Sequence, residues 1–187
     1  MADWKTLSSR IAYENPFMFV REDQAINPAG NQTIYGVVES KSAAVYIVPV
    51  DKDGNTFIIK QFRYPTQKIA WDCIAGRTDN EDPIIAAKRE LHEEAGIHAE
   101  KITILRDVAI GNGITTFHGT ICLAEELTHT DDERDAEEGI LEVQKISFVD
   151  VIDMIVKGEI QSTESIAAFF ITREYLQQKG LHGSTHN

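Results

Sequence analysis

The sequence predicts an α+β fold, in which helices pack around a mixed sheet behind a β-rich N-terminal segment of about forty residues. Three observations carry this reading. Short apolar runs alternate with turn clusters through the first part of the chain. One amphipathic helix with a recognisable start and stop follows near the middle. Two further helices, each ending at a glycine, come after the last strand-like run.

In chain order, "FMFVREDQAI" and "TIYGVVES" flank the turn cluster "NPAGN", which reads as a hairpin. "AAVYIVPV" and "TFIIKQFRY" flank "DKDGN", a second hairpin signal. That turn, Asp51 to Asn55, lacks the third acidic position and the distal glutamate of a calcium loop. "IAWDCI" reads as a strand that leads into the polar loop "AGRTDNED". A helix then starts with Asp82 as N-cap and Pro83 in its first turn, and stops at Gly96. "KITILRDVAI" and "TFHGTICLA" are strand-like, and the acidic loop "THTDDERDAEEG" precedes the strand "ILEVQKISF". "VDVIDMIVKG" and "STESIAAFFITREYLQQKG" are the closing helices. The expected organisation is a β-rich segment over 1–41 and a main domain over 42–187.

Composition narrows the function. At 187 residues with 42% hydrophobic and 26% charged residues, the chain can bury a core of ordinary size. A net charge of −12 argues against nucleic-acid polymers and anionic membranes as partners. No apolar run reaches the length of a membrane span, and "MADWKTLSSR" lacks the apolar core of a signal peptide, so a cytoplasmic location is expected. Cys73 and Cys122 lie in apolar runs and read as buried free thiols.

The informative stretch is "RELHEEAGI", Arg89 to Ile97. On a helical wheel Ile84, Ala87, Leu91 and Ala95 form the core-facing stripe. Glu90, Glu93 and Glu94 fall within an arc of roughly 100°, while Lys88 and Arg89 project elsewhere. Like charges at such spacings repel, so converging carboxylates call for a positive centre between them, and a divalent cation is the natural one.

"GRTDNEDPIIAAKRELHEEAGI" resembles the signature box of the Nudix hydrolases, G-x5-E-x7-R-E-U-x-E-E-x-G-U, where U is bulky and apolar. Glu81, Arg89, Glu90, Leu91, Glu93, Glu94, Gly96 and Ile97 fall on its positions. One departure is that only four residues separate Gly76 from Glu81, so the box loop is one residue short. "QFRYP", "WDCIAG" and the β-rich start are similar to the ADP-ribose pyrophosphatase branch. There Asp72 stands in place of a glutamate, and "AIGNGITTF" lacks a Pro-Gly pair typical of that branch.

The resemblance implies an α/β/α sandwich and Mg²⁺-dependent hydrolysis, with Mn²⁺ able to substitute, of ADP-ribose or a related nucleoside diphosphate sugar to a nucleoside monophosphate and a sugar phosphate. GDP-mannose, dinucleotides and a non-catalytic nucleotide sensor are the alternatives. It implies Glu90 and Glu94 as metal ligands, Glu93 as ligand or base, the Ala75 carbonyl as a further ligand, and Arg63 as a phosphate contact. Glu138, or Glu137 beside it, is the candidate base from the acidic loop. Gly76, Glu81, Arg89 and Gly96 are structural members of the box, with Arg89 holding the glutamates. A homodimer that shares the N-terminal β segment is also implied.

Overall fold

A computed structural model describes residues 3–129 and 139–180. They form two compact units: residues 3–43 with 108–119, and residues 44–107 with 120–129 and 139–180. The first unit thus takes in a stretch, 108–119, that the sequence reading left in the main domain.

The first unit is a three-stranded antiparallel sheet of β1 (Lys5–Glu14), β2 (Met18–Ile26) and β3 (Gln32–Ser40), with β2 in the middle. The turn between β2 and β3 closes as expected, because the Asn27 side chain accepts from the Ala29 and Asn31 amides. The sequence reading placed no strand at β1. All ten of its residues are exposed, so no burial period marks it. Within this unit, Val38 and Thr115 form a parallel bridge and the Tyr35 hydroxyl donates to the Gly113 carbonyl.

β4 (Ala44–Pro49) joins a sheet of order β7-β4-β9-β8, with β7 (Ile74–Arg77), β8 (Ile97–Ile110) and β9 (Phe117–His129), of which residues 97–107 and 120–129 belong to the second unit. The other sheet has the order β10-β5-β6, from β5 (Asn55–Arg63), β6 (Lys68–Asp72) and β10 (Ile140–Ser147). The "DKDGN" turn forms, with Asp51 accepting from the Asp53 and Asn55 amides. Yet the expected hairpin amounts to one bridge, Val50 to Thr56, before β4 and β5 enter different sheets. "IAWDCI" is likewise two strands. Asp72 pairs with Ile59 and Ile74 pairs with Ile47, so the chain changes sheets at Cys73.

Among the described residues three helices complete the unit: α1 (Pro83–Ala95), α2 (Phe148–Lys157) and α3 (Thr163–Gln178). Their N-caps are Asp82, Ser147 and Ser162. Gly96 ends α1 in the left-handed region at φ 63°, which glycine adopts without the Cβ penalty. Val45 and Ile47 of β4 join Leu91, Ala87 and Ala95 of α1 in one buried cluster, while Tyr46, on the opposite side of the pleat, faces a cavity walled by the start of α3. Helices therefore lie on both faces of this sheet. Ile84 is a correction to the wheel: it is 37% exposed, and Ala86 is buried instead. A first-turn side chain leans back past the end of the helix, beyond the sheet that shelters the later turns.

Cys73 and Cys122 are free and buried, and burial pushes both thiols up to about 12. Among the described residues no helix is long and apolar enough to cross a membrane.

Leu91 is fully buried at the centre of the α1 contact. Leu91→Ala is expected to lower the unfolding free energy by about 2–5 kcal/mol, read from urea denaturation.

Candidate functional site

The acidic face of α1 is turned inward. Glu90 and Glu94 are 6% and 4% exposed, values usual for core residues and rare for carboxylates. They lie against β7. The Ala75 amide donates to Glu94 Oε2 at 3.0 Å. A Cβ built on Gly76 would fall 1.9 Å from the Glu90 carboxyl carbon, so only glycine leaves Glu90 its place.

Arg89 sits among these acids, although the wheel pointed it away. Its Nη1 donates to Glu90 Oε1 at 2.8 Å and to Glu93 Oε2 at 3.0 Å. Its Nε reaches Glu81 Oε2 at 3.4 Å, and its Nη2 donates to the Arg77 carbonyl at 2.8 Å. A guanidinium on a long stem carries five donors and can curl over a neighbouring turn, which a wheel of Cβ positions does not register. Burial pulls the Arg89 pKa down, but Glu90 and Glu93 more than offset it and hold the group protonated. Lys88 does point elsewhere, to the Glu100 carbonyl.

The short box loop closes through two consecutive left-handed residues, Asp79 at φ 48° and Asn80 at φ 67°. The Glu81 amide bonds back to the Thr78 carbonyl at 2.8 Å. Asp and Asn tolerate this conformation better than other residues with a side chain, so the loop makes its turn with one residue fewer. The same turn lets Arg77 Nη2 reach Asp79 Oδ1 at 3.2 Å.

A cavity of about 820 Å³ opens beside Ala75 and Gly76 and is lined also by Tyr46, Arg63, Lys68, Arg77 and the start of α3. Arg63 is anchored rather than loose. Its Nε and Nη2 both lie 2.8 Å from Asp72 Oδ2. Asp72 is 1% exposed, and its Oδ1 accepts from Ser165 Oγ at 3.0 Å. Ser165 Oγ in turn accepts from the Cys73 amide at 3.1 Å, which serves the backbone group left out of both ladders where the chain changes sheets. The Tyr46 phenol is held above its usual pKa by burial and by the negative charge of Glu164, against the lowering effect of Arg63.

Of the residues expected at the site, Glu81, Arg89, Glu90, Glu93 and Glu94 come together around the Ala75–Gly76 backbone. Arg63 lines the cavity that this backbone also lines. Gly96 ends the helix, its amide donating to the His92 carbonyl, and His92 stacks on His98 with centroids 4.4 Å apart. Glu137 and Glu138 lie outside the described residues. Sequence reasoning missed Tyr46, Arg77, Glu164 and Ser165. Arg77 could have been found as the cation next to the box glycine. Glu164 and Ser165, some ninety residues farther on, carry no local signal.

A family model for the NUDIX domain matches residues 40–169. The chain belongs to the Nudix family. A second model, the nucleoside diphosphate sugar hydrolase N-terminal domain, matches residues 4–38. Among relatives, an ADP-ribose pyrophosphatase of Mycobacterium tuberculosis is 29% identical over 168 residues, spanning 88% of this chain and 81% of that protein. An ADP-ribose pyrophosphatase of Bacillus subtilis is 29% identical over 138 residues, spanning 73% and 72%. The crystal structure of an ADP compounds hydrolase superposes with a TM-score of 0.85 at 21% identity over 96% of this chain and 97% of that one, a likeness of fold.

Nudix pyrophosphohydrolases of this kind generally depend on divalent metals. Among the described residues no three acidic, His or Cys side chains form a ready-made chelate. The donor set nonetheless fits Mg²⁺, which keeps several waters and takes one or two carboxylates together with substrate phosphates. Glu90 and Glu94 offer two buried carboxylates against the Ala75–Gly76 backbone, with Arg89 joining Glu93 to Glu90.

Gly76→Ala is expected to fold but to displace Glu90. Hydrolytic turnover should fall by about 10²-fold, measured as kcat at saturating Mg²⁺, the scale of a misplacement of about 1 Å.

Proposed function

We propose that this chain hydrolyses the diphosphate bond of ADP-ribose, or of a closely related nucleoside diphosphate sugar, to a nucleoside monophosphate and a sugar phosphate. The observation that carries the reading is the single cavity in which Arg63, Lys68 and Arg77 share a wall with the Ala75–Gly76 backbone, the strand that seats Glu90 and Glu94. An anhydride bound there would meet cationic side chains and the β7 backbone against which the acidic helix packs. The activity for which the two pyrophosphatase relatives are named supports the same substrate class.

Glu90 and Glu94 would hold Mg²⁺, or Mn²⁺ in its place, with the Ala75 carbonyl as a further ligand and Glu93 as ligand or base. The bound ion would neutralise phosphate charge and acidify a water. The side chains then divide the remaining work. Arg63, its fork fixed by Asp72, grips a phosphate and stabilises charge that develops on its oxygens. Arg89 keeps Glu90 and Glu93 in place without touching substrate. Water attacks one phosphorus, the anhydride oxygen leaves with the other phosphate, and a carboxylate takes the water's proton. Glu93 and, from the acidic loop, Glu138 or Glu137 are the candidates for that base.

The assembly proposed is a homodimer through the N-terminal sheet. Leu7, Ile11 and Tyr13 of β1, with Trp4, Phe17 and Ile34, leave apolar surface exposed on a sheet whose outer strand, among the described residues, is paired on one side. A sheet of three strands gains stability from a covered apolar face.

Glu94→Gln should keep the fold and cut turnover of ADP-ribose by at least about 10²-fold, the scale of losing a group that acts only in the transition state. Near wild-type rates at saturating Mg²⁺ would remove the metal assignment. In a substrate panel that follows release of phosphomonoesters, turnover of nucleoside triphosphates alone would remove the sugar-nucleotide reading. Sedimentation at micromolar concentration is expected to show a dimer, and a fully active monomer contradicts it.

A further inference from the structure

Charges of both signs share the cavity wall, and they are sorted by element. Arg63 and Lys68 flank the β5–β6 turn and Arg77 ends β7, whereas Glu159 follows α2 and Glu164 lies in the first turn of α3. Asp72, the third carboxylate of the wall, is buried and engaged with Arg63. Glu164 is steadied by the Ser162 and Thr163 hydroxyls, at 2.9 and 3.1 Å from its Oε2. It lies in the first turn of α3, where the positive end of the helix dipole faces an acidic side chain. Tyr46 lines the same cavity, and its phenol feels the charges of both Glu164 and Arg63. The cavity therefore runs from a cationic sheet side to an anionic helix side.

We propose that Glu164, assisted by Glu159, is the specificity-determining charge of this site, admitting two-phosphate nucleotides that end in a neutral, hydroxyl-bearing group and turning away those with a third phosphate. The proposal rests on the diphosphate lying at Arg63, as described above. Hydroxyls of a sugar would donate to the Glu164 and Glu159 carboxylates in charge-assisted bonds. A further phosphate in the same place would meet like charge, for which the helix side offers no cation from the cavity wall.

The test uses the full chain and two charge-neutralised forms, Glu164→Gln and the Glu159→Gln, Glu164→Gln pair, each checked by circular dichroism. Inorganic pyrophosphate and tripolyphosphate serve as binding probes by calorimetry, and ADP-ribose and ATP as substrates. In the paired variant, affinity for tripolyphosphate relative to pyrophosphate should rise by about tenfold or more, the scale of removing a like-charge contact. Selectivity in kcat/KM for ADP-ribose over ATP should fall by a similar factor. Unchanged ratios in a folded paired variant overturn the inference, even if ADP-ribose is a good substrate. A wild-type chain that fails to cleave ADP-ribose, while the binding ratio shifts as expected, removes the substrate reading and leaves the charge discrimination standing.

Discussion

Two carboxylates packed into the seam between α1 and β7 set the terms for the rest of the molecule. Burying Glu90 and Glu94 at 6% and 4% exposure would be costly on an ordinary helix, because each loses water without leaving its charge behind. The chain meets that cost locally. Glycine at position 76 gives Glu90 room, the Ala75 amide serves Glu94, and Arg89 spans Glu90, Glu93 and Glu81. The apolar side of the same helix, around Leu91, clamps the arrangement to the core. A helix with one face in the core and another in a seam of acids has little freedom to slide, which is what a site with tight geometric demands requires.

The second constraint is the change of sheets at Cys73. Leaving one sheet at Asp72 and entering another at Ile74 frees a backbone amide and brings Asp72 into the interior. Ser165 serves the Cys73 amide and one oxygen of Asp72, and Arg63 takes the other oxygen. One hydroxyl on α3 thus ties a topological feature of the fold to the orientation of a guanidinium in the cavity. Such buried polar networks hold a single geometry when every member has a partner.

The short box loop shows a departure absorbed without loss of the site. Removing a residue from a loop between a strand and a helix threatens the register of everything beyond it. Here two residues that tolerate the left-handed region make the turn, and Glu81 still reaches Arg89. Arg77, at the start of this loop, pairs with Asp79 and lines the cavity wall.

The sequence by itself determined the helix from Pro83 to Ala95 with both of its ends, the acidic arc on that helix, and the family. Each of these is local: caps act within a turn, and a helix period places Glu90, Glu93 and Glu94 together before any other part of the chain is known. Only the tertiary structure decided that Arg89 curls onto that arc, that β4 and β5 part into two sheets after one bridge, and that the all-exposed β1 is a strand. The same holds for Tyr46, which lies far in the chain from Glu164 and Ser165 and meets them at one cavity. Their roles come from nonlocal pairing and from the reach of long side chains, neither of which leaves a period or a spacing in the sequence to be read.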